Sequence, residues 1–187
     1  MTTIFFYLFF CFVAIIYLYR TEWKKSANQQ LSKKTFFDKK FIFSLLGFIL
    51  LHWIIRLILI YLQFPLLSEN TKLLIKGIED NEIFSLFALC VLAPLAEELI
   101  FRFLVFKILK KSNVLTYLFS FLSFIFYHYC PGENLITFFF QYFVISFALV
   151  YFYWKSKWKL TVTILVHSLI NFMFFINVIY LPTFIIL

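Results

Sequence analysis

Six apolar stretches divide this chain of 187 residues, and they limit the folds that are open to it. A helix needs about 20 apolar residues to cross a hydrocarbon core of about 30 Å. Inside a bilayer each backbone N–H and C=O group needs a partner, and an α-helix supplies those partners within one segment. The stretches are residues 3–19, 41–63, 83–106, 114–129, 135–154 and 160–180. The sequence therefore predicts an all-α fold, a polytopic transmembrane helical bundle of about six spans.

Composition supports a membrane protein and argues against a soluble domain. Hydrophobic residues make up 64% of the chain, whereas soluble domains contain roughly half. No linker or repeat separates the spans, so we expect residues 1–187 to form a single membrane domain in contact with lipids. Its three cysteines, Cys11, Cys90 and Cys130, lack the spacing of a disulfide framework or a metal site and are interpreted as packing residues. The sequence indicates no oligomeric state.

The net charge of +8 is distributed as a topology signal. Seven, three and three basic residues follow spans one, three and five, but the loops after spans two and four share only two. Positive charge favours the cytoplasmic side, so the basic loop 20–40 is predicted to be cytoplasmic and both termini outside. This pattern explains the charge without nucleic-acid binding. The first stretch lacks a basic segment before it and is expected to remain as a span.

Two adjacent acids, Glu97 and Glu98, interrupt the third apolar stretch. A carboxylate at this depth costs several kcal/mol unless it is paired, hydrated or bound to a metal. Arg102 lies four residues after Glu98 on the same helix face, so these two side chains are predicted to form an ion pair. Glu97 points about 100° away and is left for another role. Pro94 removes a backbone donor just before the acids and is expected to open the helix locally.

Other polar residues in the spans suggest a shared site. His128 ends span four, and His167 and Asn171 lie four apart on one face of span six. Histidine and carboxylate groups bind zinc or act as general bases, and either role activates a water molecule. His52 and Arg56 share a face of span two and are interpreted as structural or substrate-lining residues. His128 lies about 26 Å from the cytoplasmic end of an upright span four, against about 15 Å for Glu97 in span three; the helix rise thus predicts a mismatch in depth that a tilted helix would reduce.

Three of these segments together resemble the signature of a known family. EELIFR at 97–102 matches an EExxxR motif, FIFYH at 124–128 matches FxxxH, and HSLIN at 167–171 matches HxxxN. In this order, on separate apolar segments, they are similar to the CPBP (Abi) family of CAAX-protease and bacteriocin-processing intramembrane proteases. The resemblance covers residues 83–180, a CPBP-like catalytic core, and leaves residues 1–82 as two N-terminal spans joined by loop 20–40. Phe103 stands where the family motif commonly continues with glycine.

The resemblance implies a catalytic role for each matched polar residue. Glu97 would activate the attacking water, and His128 and His167 would help to hold that water or a divalent metal such as zinc, with Glu97 as the third metal ligand. Asn171 would position the water or stabilise an oxyanion. Glu98 and Arg102 would be supporting residues of the site.

The predicted function is intramembrane endopeptidase activity on a membrane-associated peptide, by attack of glutamate-activated water. The substrate is expected to be a bacteriocin or signal-peptide precursor or a lipidated peptide, in processing or self-immunity, and the protein is expected in a bacterial cell membrane. A non-enzymatic bacteriocin immunity or scaffold protein on the same fold is the alternative. A proton or ion pathway is a third class, but it needs polar residues along the whole membrane, whereas these cluster in one region.

Overall fold

A computed structural model describes residues 39–65, 67–109 and 113–180, together with residues 12, 13, 16 and 20. Within residues 39–180 the described chain forms helices and no strand. The helices are α1 (Lys39–Tyr61), α2 (Glu69–Asp80), α3 (Glu82–Ile108), α4 (Val114–Tyr127), α5 (Leu135–Lys155) and α6 (Leu160–Tyr180). The predicted all-α membrane fold is confirmed for this part of the chain. Most of the first predicted span, most of loop 20–40 and the C-terminal end lie outside the described residues.

Four of the described helices, α1, α3, α5 and α6, are long and apolar enough to cross a membrane. They correspond to predicted spans two, three, five and six, and they make the protein an integral membrane protein. Predicted span four corresponds to α4, which is apolar but contains 14 residues. At 1.5 Å per residue it is about 21 Å long, shorter than the hydrocarbon core.

The segment 64–82 was predicted to be a loop, and this prediction was wrong because α2 occupies most of it. Ser68 caps the helix by accepting a hydrogen bond from the backbone N–H of Thr71. Thr71 and Ile78 are buried, whereas the charged residues of α2 face outward. Such one-sided burial is typical of an amphipathic helix. The segment lies between two long apolar stretches and was predicted as the loop that connects them.

Helix α5 lies at the centre of the bundle, between α1, α4 and α6. Its buried residues Leu149 and Phe152 pack with Phe124 of α4 and Val166 of α6 in the main apolar core. Helix α1 contacts the same helix through aromatic rings, including Phe48, whose ring centroid lies 5.8 Å from that of Phe152. Because α5 touches these three helices, it fixes their positions around the polar residues of α3.

Two wide π-helical turns interrupt α3, at Ala88–Leu92 and Leu99–Leu104. Between them lies an α-helical turn, Ala93–Glu98, with Pro94 near its start. Proline has no backbone N–H to donate to the preceding turn, which agrees with the local opening expected there. Turns of this kind inside α-helices frequently occur at functional sites. Here they flank the two glutamates.

Candidate active site

Glu97, His128 and His167 come together from three different helices or helix ends. Oε2 of Glu97 lies 3.6 Å from Nε2 of His128 and 3.7 Å from Nε2 of His167. The three side chains are 6%, 14% and 4% exposed, so this contact is inside the bundle. The separations are slightly too long for direct hydrogen bonds. They are of the size at which a bridging water should be considered.

Both imidazole rings are oriented by a bond at their other nitrogen. Nδ1 of His128 lies 2.9 Å from the backbone carbonyl oxygen of Phe124, which can act only as an acceptor, so Nδ1 carries the hydrogen. Nδ1 of His167 lies 2.9 Å from Oε1 of Glu98 and donates to that carboxylate. In the neutral rings, both Nε2 atoms are therefore acceptors directed toward Glu97.

Glu98 and Arg102 form the ion pair that their spacing predicts. Oε2 of Glu98 lies 3.2 Å from Nε of Arg102, and both side chains are completely buried. The guanidinium carbon also lies 4.5 Å from the ring centroid of Phe124, a cation–π contact. Because the other oxygen of Glu98 accepts from His167, this carboxylate connects the arginine to the imidazole. The adjacent glutamates therefore have different surroundings.

The structure removes the predicted mismatch in depth between His128 and Glu97. Thr116 of α4 donates a hydrogen bond to the carbonyl of Leu109, next to the end of α3, which places the two residues side by side. Glu97 lies 12 residues before Leu109, and His128 lies 12 residues after Thr116. The two residues are thus equally far along the chain from this contact, and their side chains meet, with Oε2 of Glu97 3.6 Å from Nε2 of His128. The prediction assumed an upright span four and took no account of the contact between Thr116 and Leu109.

Asn171 also lies near the site, and its amide has a structural partner. Nδ2 donates a hydrogen bond of 2.8 Å to the backbone carbonyl of Leu89, in the first π-helical turn of α3. This hydrogen bond joins α6 to α3 near Glu97, His128 and His167. The sequence did not predict it. The second N–H and the carbonyl oxygen of the amide leave the predicted water-positioning role open to Asn171.

A cavity of about 540 Å³ gives these residues a common space. Apolar side chains of α1, α3 and α6 make up much of its wall. The central cavity is also lined by Glu97, His128, His167, Asn171, His52 and Arg56. The guanidinium of Arg56 lies 5.7 Å from the ring centroid of Trp53. His52 and Arg56 of α1 therefore line the same cavity as Glu97, a position that their interpretation as substrate-lining residues requires.

Sequence reasoning missed Tyr142, a buried residue of α5. Its ring stacks on that of His128, with centroids 4.7 Å apart and an angle of 23° between the planes. Tyrosine is common in this chain, with 11 occurrences, and Tyr142 belongs to no motif used above. No signal in a single sequence distinguishes it from the tyrosines that only pack.

The predicted metal ligands are Glu97, His128 and His167. Among the described residues, no group of three or more His, Cys, Asp and Glu side chains has an arrangement that could hold a metal ion. Glu97, His128 and His167 are suitable ligand types, and their facing atoms are 3.6 and 3.7 Å apart. Zinc–ligand bonds of about 2.0–2.2 Å place two ligand atoms of a tetrahedral site about 3.3–3.6 Å apart, so these separations do not exclude zinc.

The requirement for metal therefore stays a prediction, and it has a direct measurement. If Glu97, His128 and His167 bind zinc, the purified protein should contain about one zinc ion per chain. Replacing His167 by glutamine should then remove that ion. Elemental analysis of both proteins measures the content, and a wild-type protein without stoichiometric metal would contradict the prediction.

The fold is that of an integral membrane protein, with glutamate and histidine side chains at a cavity inside a helical bundle. Residues 79–173, which are 95 of the 187 residues, match the family described as type II CAAX prenyl endopeptidase Rce1-like. The chain belongs to this Rce1-like family of CAAX proteases. The resemblance drawn from the three motifs is confirmed. Comparisons with curated proteins and with solved structures gave no match.

Proposed function

We propose that this protein hydrolyses a peptide bond of a membrane-associated peptide with a water molecule activated by Glu97. The observation that carries the proposal is the meeting of Glu97 with two imidazole Nε2 atoms, 3.6 and 3.7 Å away, at the wall of the central cavity. A general base must lie within reach of the proton that it removes, directly or through one water. Glu97 meets this condition for a water bound between the three side chains.

The reaction follows from the acceptor groups around that water. The water donates one hydrogen to Oε2 of Glu97 and the other to an imidazole Nε2, which leaves an oxygen lone pair directed into the cavity. As the water oxygen bonds to the substrate carbonyl carbon, its proton passes to Glu97. The resulting tetrahedral intermediate collapses when the C–N bond breaks, and protonated Glu97 returns the proton to the leaving amine. Atoms and protons balance, and the carboxylate is regenerated.

Glu98 and Arg102 support this step by holding His167. A carboxylate that accepts from Nδ1 fixes both the tautomer and the orientation of an imidazole ring. Arg102 compensates the charge of Glu98 inside the bundle, and Glu97 is left for the proton transfer. Asn171 is assigned to positioning the water or the developing oxyanion with the part of its amide that does not bond to Leu89.

The substrate is proposed to be a peptide that carries an apolar segment or lipid. Apolar side chains such as Phe48, Leu89 and Ile145 form much of the central cavity, and they favour an apolar ligand. Two substrate classes meet this requirement. One is a peptide lipidated near its C-terminus, as the family description suggests, and the other is a bacteriocin or signalling-peptide precursor with a membrane-embedded segment.

The experiment that tests the proposed function compares these classes directly. Purified protein in micelles is incubated with a prenylated C-terminal peptide, with its unprenylated counterpart and with an apolar precursor peptide, and products are identified by mass spectrometry. We expect cleavage at one defined bond in a lipidated or membrane-inserted peptide and none in the soluble counterpart. Stoichiometric binding of peptides without any cleavage would contradict the proposal and favour the immunity or scaffold alternative.

A further inference from the structure

His128 is the C-cap residue of α4, and its ring needs side-chain contacts to fix its direction. We propose that Tyr142 and Asn70 are positioning residues that hold this ring so that Nε2 faces Glu97. The inference rests on the proposed function, because it assigns the ring a task in catalysis. It concerns two residues outside the three motifs.

The first support is the stacking of the two rings. The centroids of Tyr142 and His128 are 4.7 Å apart and their planes differ by 23°, an offset-stacked arrangement. On another side of His128, the ring centroid of Phe124 lies 4.6 Å away at 44°. The bond from Nδ1 to the carbonyl of Phe124 fixes rotation within the ring plane. Stacking fixes the plane itself, which the single hydrogen bond leaves adjustable.

The second support is that Tyr142 is itself held in place. Its hydroxyl accepts a hydrogen bond of 2.6 Å from Nδ2 of Asn70, in the first turn of α2. The backbone N–H of Asn70 donates to Oε1 of Glu133, a buried carboxylate in the turn after His128. A negative charge is favourable at the N-terminus of a helix, so Glu133 stabilises this turn of α2. Asn70 is therefore fixed through its backbone and fixes Tyr142 through its side chain.

The third support is that hydrogen bonds join the same turn of α2 directly to α5. The backbone N–H of Ser68 donates to Oε1 of Gln141, at 3.2 Å. Nε2 of Gln141 donates in return to Oγ1 of Thr71, at 2.9 Å. Asn70 lies between these two anchored residues and opposite Tyr142, the neighbour of Gln141. Because these groups are held by several hydrogen bonds, the contact between Asn70 and Tyr142 has little conformational freedom. A catalytic ring needs a fixed orientation of this kind.

The test separates stacking from the hydrogen bond by three substitutions. Tyr142→Leu removes the ring, and it is expected to lower kcat by about 10- to 100-fold with little change in KM, as loss of a supporting residue usually does. Tyr142→Phe and Asn70→Ala each remove the hydrogen bond but keep a stacked ring, so each should lower kcat less. Because both remove the same bond, the double variant should lose no more than either single variant.

Tyr151→Phe is the matched control, since it removes a tyrosine hydroxyl from the same helix. That hydroxyl lies 3.3 Å from Oγ of Ser44 and does not contact the site. We expect the control to keep the wild-type kcat. A second readout does not need activity: the chain has three histidines, and ¹⁵N spectra of the labelled protein in micelles should show Tyr142→Leu changing the imidazole signals of His128 while those of His52 stay unchanged.

The outcomes distinguish this inference from the proposed function. Unchanged His128 signals and unchanged kcat in Tyr142→Leu would overturn the positioning role, whatever the substrate. If Tyr142→Leu does not fold, additive losses in Asn70→Ala and Tyr142→Phe would overturn the role of their shared bond. A shifted His128 signal in a protein that cleaves no peptide would support positioning while contradicting the proposed function.

Discussion

Replacing Glu97 by glutamine is expected to lower kcat by about 10²- to 10⁴-fold, the usual contribution of a general base. Glutamine keeps the size of the side chain and its place beside His128 and His167, but it cannot take a proton from water at neutral pH. KM should change little, because no step of substrate binding is assigned to the carboxylate. The measurement is peptide cleavage by the purified variant under saturating substrate.

The control for this prediction is Glu69→Gln on α2. Glu69 is half exposed and pairs with Lys72 at the surface, so its neutralisation should leave kcat unchanged. Both variants should unfold at nearly the wild-type temperature, which separates lost chemistry from lost structure. If Glu97→Gln retained wild-type cleavage, Glu97 could not be the base, and Glu98 would become the carboxylate to test.

Replacing Arg102 by methionine is expected to destabilise the protein by about 3–5 kcal/mol, the usual cost of breaking a buried ion pair on one side. The variant leaves the ionised carboxylate of Glu98 completely buried, with His167 as its remaining partner among the described residues. The free energy of unfolding in mixed micelles measures the effect. Activity should fall as well, since His167 is oriented by the same carboxylate.

Two further variants give the Arg102 prediction its controls. Lys72→Met breaks a surface pair whose side chains are 54% and 47% exposed, and it should cost about 0–1 kcal/mol. The double variant Glu98→Gln, Arg102→Met removes both buried charges, and it should be more stable than Arg102→Met alone. If Arg102→Met alone were as stable as the wild type, burying Glu98 without Arg102 would not have the expected electrostatic cost.

The polar residues of the site were predictable because a bilayer makes each of them unusual. Glu97, Glu98 and Arg102 stand out in an apolar helix, and the four-residue spacing of Glu98 and Arg102 sufficed to predict their ion pair. His128, His167 and Asn171 stand out in the same way, and the family resemblance implied a catalytic role for each of them. Spacing within one helix is a local property, so a single sequence contains it.

The remaining features depend on contacts between helices, which a single sequence does not encode directly. The depth of His128 follows from the bond between Thr116 and Leu109, two residues on either side of a loop. The bond from Asn171 to Leu89 joins residues of two different helices, 82 positions apart in the chain. Tyr142 is identified only by the stacking of its ring on that of His128. Helix α2 was missed for a different reason, since only long apolar stretches were predicted as helices.

The stretch of α3 around the two glutamates is buried on all sides. Four consecutive residues, Ala96 to Leu99, are buried, with exposures of 0%, 5%, 0% and 1%. Four residues cover slightly more than a full turn of an α-helix, so at this level α3 turns no side toward the acyl chains. At this level α3 lies inside the bundle rather than on its lipid-facing surface. Under the proposed mechanism, a peptide has to enter the central cavity to reach the carboxylate of Glu97, which lines it.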